Sequence, residues 1–266
     1  MNMIHNLLSS DPVIAPACKA FAIPDRVPAS PQELDCLGKG RHATLSVGGD
    51  DVAFWTFGKG PRILLMHGWC SRGSHLAGFV KPLLDAGFSV VLFDAPAHGE
   101  SAGAVSSMIH AGRAALAIAS HLDDVAGVIA HSAGSTAALW AFANGLSVRG
   151  SVHISGPTSL TQVVMGTARA HGLDQKQTQA FRDWAQAFVG VPLDSVDLPA
   201  LTARLAHPGL IIHDTEDRIV TVAQSLALHG VWSTSALVTT TGLGHRRILG
   251  DAATVENAVE FLKNHV

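Results

Sequence analysis

Short apolar runs alternate with stretches of helical spacing along most of this chain, and that rhythm limits the folds open to it. Arg62-Ile63-Leu64-Leu65-Met66, Phe88–Phe93 and Val125–Ala130 are too short for helices and too continuously apolar for strands with one wet face. They read as strands buried on both faces, as in a parallel sheet covered by helices. Leu76 to Leu84, which stops at Gly87, Met108 to Leu122 and Ser132 to Phe142 read as the helices between them. Val148–Ile154, Leu210-Ile211-Ile212 and Ala236–Thr240 continue the strands, and Thr254 to Lys263 is a last helix with Thr254 as its N-cap. Ala43–Val47 and Val52–Phe57 read as a strand pair around the Gly48-Gly49-Asp50-Asp51 turn. Strand and helix in alternation predict an α/β class chain, with a mostly parallel central sheet and helices on both faces. The 266 residues suit one such domain with a modest insertion.

Two segments stand outside the rhythm. Residues 1–40 are broken by Pro12, Pro16, Pro24, Pro28 and Pro31 and read as an N-terminal arm. Residues 156–208 contain no strand pattern; Val163 to Ala170 and Phe181 to Val189 have helical spacing instead. This stretch reads as a small helical cap inserted between the two parts of the core, 41–155 and 209–266.

Composition narrows the function. A formal charge of −3 argues against a nucleic-acid partner, which demands a basic face. Cys18, Cys36 and Cys70 are too few and too odd in number for a disulfide framework. Met1 to Ser10 lacks the basic start and apolar run of a signal peptide, and no stretch is long enough to span a bilayer, so the expectation is a cytoplasmic protein, monomeric or homodimeric, with no membrane contact. Tyrosine is absent, which removes any mechanism with a tyrosine acid or oxyanion donor. The 15 histidines form no His-Glu-x-x-His and no clustered Cys/His spacing, and no glycine-rich phosphate loop is present. Neither a metal nor an organic cofactor is expected.

In parallel sheets of this kind, sites lie beyond the carboxyl ends of the strands, so residues just after strands are the candidates. Val128-Ile129-Ala130-His131-Ser132-Ala133-Gly134 carries a buried strand through a turn of small residues into a helix. Such an elbow lifts a serine hydroxyl clear of the sheet and aims the helix's amino end at it. The bland alternative is a serine that only caps the helix. His67-Gly68-Trp69 follows another strand, where its amides can face the elbow; His67 itself reads as structural. Asp94 and His98 follow a third strand, and because they precede the elbow they read as turn stabilisers. After the cap, Leu210-Ile211-Ile212 runs into His213-Asp214-Thr215-Glu216-Asp217, where Asp214, Glu216 and Asp217 compete as an orienting acid. The next strand runs into Gly242-Leu243-Gly244-His245, with His245 at the loop tip. Serine, acid, then histidine is a chain order that supports nucleophilic acyl transfer.

From Ala43 to Val266 the chain resembles the α/β-hydrolase superfamily, through His67-Gly68-Trp69, Asp94-Ala95-Pro96-Ala97-His98-Gly99-Glu100-Ser101, Ala130-His131-Ser132-Ala133-Gly134 and Gly244-His245. Ala130 stands where the usual Gly-x-Ser-x-Gly pattern has its first glycine. The family's acid sits in a Gly-x-x-Asp stretch, which puts Asp214 at the glycine place and Asp217 at the acid place. The resemblance therefore implies the α/β-hydrolase fold, Ser132 as nucleophile, His245 as base, Asp217 as acid and the amides of Trp69 and Ala133 as the oxyanion hole. Trp69, Met165 and Trp184 are the expected substrate contacts. The apolar face of Phe181, Trp184 and Phe188 reads first as packing onto the body, and Cys70 as a bystander. The implied activity is hydrolysis of a small-molecule carboxylic ester or thioester. C–C bond hydrolysis or perhydrolysis by the same residues, and a weakly catalytic ligand-binding protein, are the rival readings.

Overall fold

The structure, a computed structural model, describes residues 9–266. Its centre is an eight-stranded sheet in the order β1-β2-β4-β3-β5-β6-β7-β8. The strands are β1 (Arg41–Val47), β2 (Asp50–Phe57), β3 (Arg62–Met66), β4 (Ser89–Phe93), β5 (Val125–His131), β6 (Gly150–Ile154), β7 (Gly209–Asp214) and β8 (Ser235–Thr240). β2 is antiparallel to both β1 and β4; every other neighbouring pair is parallel. The strands from β3 to β8 therefore end on one side of the sheet, which gathers the loops after them.

Burial explains the apolar runs. Along β3, Leu64 and Met66 enter the hydrophobic cluster on one face, and Ile63 and Leu65 enter the cluster on the other. A strand with two dry faces has no position left for a polar residue. At the edge, Val47 pairs with Asp50, so the β1–β2 turn is the two residues Gly48-Gly49 rather than four. Both have positive φ, 65° and 95°, as the tight hairpin requires.

Helices α1 (Ala15–Ala22) and α2 (Pro31–Leu37) lie in the N-terminal arm. The predicted helix from Leu76 begins as a 3₁₀ turn over Gly73–Phe79 and becomes α3 (Val80–Asp85). α4 (Met108–Leu122) and α5 (Ala133–Ala143) follow β4 and β5. Between β6 and β7 come α6 (Leu160–Ala170), α7 (Gln175–Val189), a 3₁₀ turn over Leu193–Val196 and the short α8 (Leu198–Thr202). α9 (Val222–Val231) precedes β8, and α10 (Gly244–Arg247) and α11 (Ala252–His265) end the chain.

Local signals set these ends. Asp174 and Gln177 form a capping box that starts α7, and Gly190 ends it in the left-handed conformation at φ 73°. α11 begins at Asp251, whose carboxylate accepts the Thr254 N–H at 2.8 Å and its hydroxyl at 2.9 Å, so Thr254 lies inside the first turn instead of capping it. Two of the five prolines of the arm, Pro16 and Pro31, start helices rather than interrupt them: each lies in a first turn, where a missing N–H costs nothing. No helix among the described residues is long and apolar enough to cross a membrane.

Candidate active site

β5 delivers Ser132 in a strained turn. Its φ of 54° and ψ of −128° lie in a region that an L-residue occupies at a cost of about 1–3 kcal/mol. The turn is held from both sides: Ser132 N–H donates to the Ile154 carbonyl at 2.9 Å, and Ser135 N–H donates to the Ser132 carbonyl at 2.8 Å. Glycine is obligatory at 134, because a Cβ there would lie 2.4 Å from the Met66 carbonyl oxygen and 2.5 Å from that of His67. Ala130 is tolerated in place of glycine because its methyl packs into the same core cluster as Met66 and Val128.

Ser132 Oγ stands 2.9 Å from His245 Nε2, and His245 Nδ1 stands 2.7 Å from Asp217 Oδ2. The carboxylate can only accept, so Nδ1 carries the proton and Nε2 is free to accept from the serine hydroxyl. Burial opposes ionisation of Asp217, but hydrogen bonds from His245 and from the Val220 and Ile219 amides outweigh it and hold its carboxyl below the usual range. The acid loop is fixed in turn by the buried His213, whose Nε2–H donates to the Val220 carbonyl at 2.8 Å while its Nδ1 accepts from Ser225 at 2.7 Å.

Asp214 does other work. It accepts from the Glu216 amide at 3.0 Å, the Thr240 hydroxyl at 2.8 Å and the Leu243 amide at 3.0 Å. It ties the end of β7 to the loop that carries His245. Those bonds overcome the burial penalty and hold its pKa at about 2. Glu216 is exposed and makes no contact with the imidazole.

Gly68, Trp69 and Ala133 approach Ser132. A Cβ on Gly68 would lie 2.9 Å from Ser132 Cβ. Trp69 and Ala133 share a cavity wall with Ser132, and Ala133 opens α5, so its amide is among those a helix leaves unpaired. The loop before Trp69 is set by His67, whose Nε2 accepts the Ala95 N–H at 2.9 Å and whose Nδ1–H donates to the Gly68 carbonyl at 2.7 Å. Asp94 accepts the Gly73 and Glu100 amides at 2.7 Å each, and His98 Nδ1–H donates to the Pro96 carbonyl at 2.9 Å. Both are turn stabilisers, not a catalytic pair.

Two cavities meet at Ser132 and Trp69. The smaller, about 220 Å³, is bounded by Phe21, Met108, Pro157, Leu160, Val163 and Thr167. The larger, about 1420 Å³, is bounded by His131, His245, Glu33, His75, Arg246 and Arg247 among others. The expected contacts Met165 and Trp184 border neither. Val163, Val164 and Met165 are successive apolar residues, so periodicity alone could not phase α6; Leu160, Val163 and Thr167 take the cavity face, while the Met165 sulfur accepts from Arg182 at 3.9 Å. Trp184 stacks between Phe181 and Phe188, at centroid distances of 5.8 Å and 5.1 Å.

Two contributors are absent from the sequence reading. His131 Nε2–H donates to the His245 carbonyl at 2.8 Å, and helix α1 supplies Ala20 and Phe21 to the smaller cavity. The signal for the first is a histidine directly before the serine. For the second it is the helix start at Pro16. Among the described residues, no group of His, Cys, Asp and Glu side chains is arranged to hold a metal ion.

No family model and no curated protein matches the sequence. Solved structures do. An esterase of Pyrococcus furiosus is 20% identical, over 92% of this chain and 97% of its own, with a TM-score of 0.71. Est1E of Butyrivibrio proteoclasticus, solved with ferulic acid bound, is 17% identical over 84% and 96% respectively, with a TM-score of 0.67. An esterase of Exiguobacterium antarcticum is 14% identical over 84% and 100%, with a TM-score of 0.65.

Proposed function

Since the chain has the α/β-hydrolase fold, we propose that it is a serine hydrolase that cleaves carboxylic esters of small molecules through an acyl-enzyme on Ser132. The observation that carries this reading is the unbroken hydrogen-bond chain from Ser132 Oγ through His245 to Asp217, at 2.9 Å and 2.7 Å. A serine hydroxyl is a weak nucleophile until a base removes its proton, and His245 Nε2 is within reach to do so. Ser132 Oγ then bonds to the carbonyl carbon, and the carbonyl oxygen takes the negative charge. The Trp69 and Ala133 amides are the donors for that oxyanion, each worth about 2.7–4 kcal/mol in the transition state. His245 returns its proton to the departing alcohol. Water, deprotonated by the same imidazole, cleaves the acyl-enzyme and restores Ser132. Asp217 keeps the imidazole in the required tautomer and stabilises its charged form.

Labelling with a fluorophosphonate, followed by mass mapping of the adduct, tests the assignment. The adduct is expected on Ser132, with loss of hydrolysis of p-nitrophenyl butanoate in step with labelling. A protein that hydrolyses the ester with Ser132 unlabelled, or that neither labels nor hydrolyses, overturns the reading.

A further inference from the structure

The serine-hydrolase reading, on which this inference rests, assigns a direction to each cavity at Ser132. The imidazole that deprotonates the nucleophile must pass the proton to the leaving oxygen, so the alcohol has to lie on the His245 side. His245 and His131 border the larger cavity and neither borders the smaller. The acyl chain is left with the smaller, apolar one.

The wall of that cavity comes from two distant parts of the sequence. Leu160, Val163 and Thr167 come from α6, and Ala20 and Phe21 from α1 in the arm. Phe21 is held edge-on by Phe181, Trp184 and Phe188, at centroid distances of 6.0, 6.1 and 6.2 Å. The chain around it is anchored to the body. The Ser106 N–H donates to the Ala22 carbonyl at 2.8 Å, and Arg26 donates to the Gly99, Ser101 and Gly103 carbonyls at 2.7, 2.9 and 3.0 Å. A ring gripped on several sides, in a segment tied down after it, is a fixed boundary rather than a mobile flap.

We propose that the N-terminal helix sets the acyl-chain limit of this protein, with Phe21 and Ala20 as specificity-determining residues. An apolar cavity of about 150 Å³ takes one benzene, so about 220 Å³ accommodates at most about eight or nine carbons. The substrate class is an ester of a short acyl group with a larger alcohol. Long-chain fatty acyl esters are excluded by the arm. The open cleft, about 1420 Å³ and bordered by Glu33, His75, Arg246 and Arg247, receives the alcohol.

The test is kcat/KM for p-nitrophenyl esters from acetyl to tetradecanoyl on the full chain, with fluorophosphonate labelling of each variant as the count of competent sites. The native protein should fall at least tenfold between hexanoyl and dodecanoyl. Phe21→Ala should raise the dodecanoyl-to-butanoyl ratio at least tenfold. Ala20→Trp, at an exposed position at the rim, should lower the octanoyl-to-acetyl ratio and keeps the test open if Phe21→Ala fails to fold. Variants that label fully but leave the chain-length profile of the native protein unchanged overturn the role of the arm while the hydrolase reading stands. A native protein that neither labels nor hydrolyses any of the esters overturns that reading, and this proposal with it.

Discussion

Asp217 directs a carboxylate oxygen to His245 Nδ1 at 2.7 Å, whereas Asp214, in the same loop, turns its oxygens to Thr240, Glu216 and Leu243. Two acids in one loop thus have separable tasks. Asp217→Asn should lower kcat by about four orders of magnitude, because an amide beside Nδ1 favours the wrong tautomer. Asp214→Asn should lower the melting temperature and cost less activity, since it loosens the loop without touching the imidazole. Steady-state kinetics beside thermal melts decides this; a larger kcat loss in the Asp214 variant refutes the division.

Ser132→Ala should reduce turnover by about six orders of magnitude and leave a folded protein. Removing the hydroxyl deletes no packing that the neighbouring amides depend on, since the Ser132 turn is held by backbone bonds to Ile154 and Ser135. Circular dichroism and ester hydrolysis on the same preparation check both halves. Retention of native activity would exclude Ser132 as nucleophile.

His131 acts one step back from the chemistry. Its Nε2–H on the His245 carbonyl fixes the backbone that presents the imidazole, and burial pushes its own pKa down to about 3. His131→Phe keeps ring volume and loses the donor, so kcat should fall on the order of tenfold to a hundredfold with KM little changed, the scale of a small misplacement of a reacting group. His131→Gln offers an amide N–H near the same place and should recover part of the loss. If both variants change KM alone, the positioning role is wrong.

Buried neutral histidines make the fold sensitive to acid. Burial pushes His67 to about 4, and His98, His131 and His153 to about 3. In the unfolded chain each titrates near 6.5. Below that pH the unfolded state binds protons that the folded state refuses, so stability is full above about 6.5 and falls as pH drops toward the folded values. The protein should therefore lose stability as pH falls from about 6.5, starting before most of its carboxylates titrate. Melting temperatures that stay level from about pH 7 to pH 4.5 contradict this.

The sequence carried the sheet and the order of the loops that hold Ser132, Asp217 and His245 because both rest on local pattern. Runs such as Arg62–Met66 are apolar throughout since both of their faces are dry, and Ser132 and His245 stand out as polar residues placed just after strands. What it could not carry depends on which neighbour a side chain meets. Residue types alone leave Asp214, Glu216 and Asp217 competing, and only the family's Gly-x-x-Asp pattern favours Asp217, because the partners that tell them apart come partly from the loop after β8. The apolar neighbours Val163, Val164 and Met165 hide the phase of α6, and the cavity face falls to Leu160, Val163 and Thr167 rather than Met165. Pro16 resembles a break in the chain and is instead the first turn of α1, the element that brings Phe21 to the cavity.

Two glycines near Ser132 should respond differently to the same substitution. At Gly134 an added methyl would lie 2.4 Å and 2.5 Å from the Met66 and His67 carbonyl oxygens, which are backbone atoms that cannot move without shifting β3 and its loop. Gly134→Ala should therefore destabilise the fold by about 2–4 kcal/mol, as other changes that overpack a fixed backbone do. At Gly68 the nearest atoms are Ser132 Cβ at 2.9 Å and Ser132 Oγ at 3.3 Å. Ser132 Cβ does not move with the side-chain rotamer, so the elbow or the Gly68 loop must shift by a few tenths of an ångström to relieve the contact. That shift displaces Oγ from its 2.9 Å alignment with His245 Nε2, so the reaction bears a cost beyond any loss of stability. A misplacement of this size is worth on the order of a hundredfold in rate. Gly68→Ala should thus lose about two orders of magnitude in kcat per folded molecule and label more slowly with a fluorophosphonate. Gly134→Ala should melt far lower, with activity lost in proportion to folded protein. Were Gly68→Ala to keep native kcat, the Gly68 loop would not press on the nucleophile in solution, and the assignment of the Trp69 amide to the oxyanion hole would lose its geometric basis.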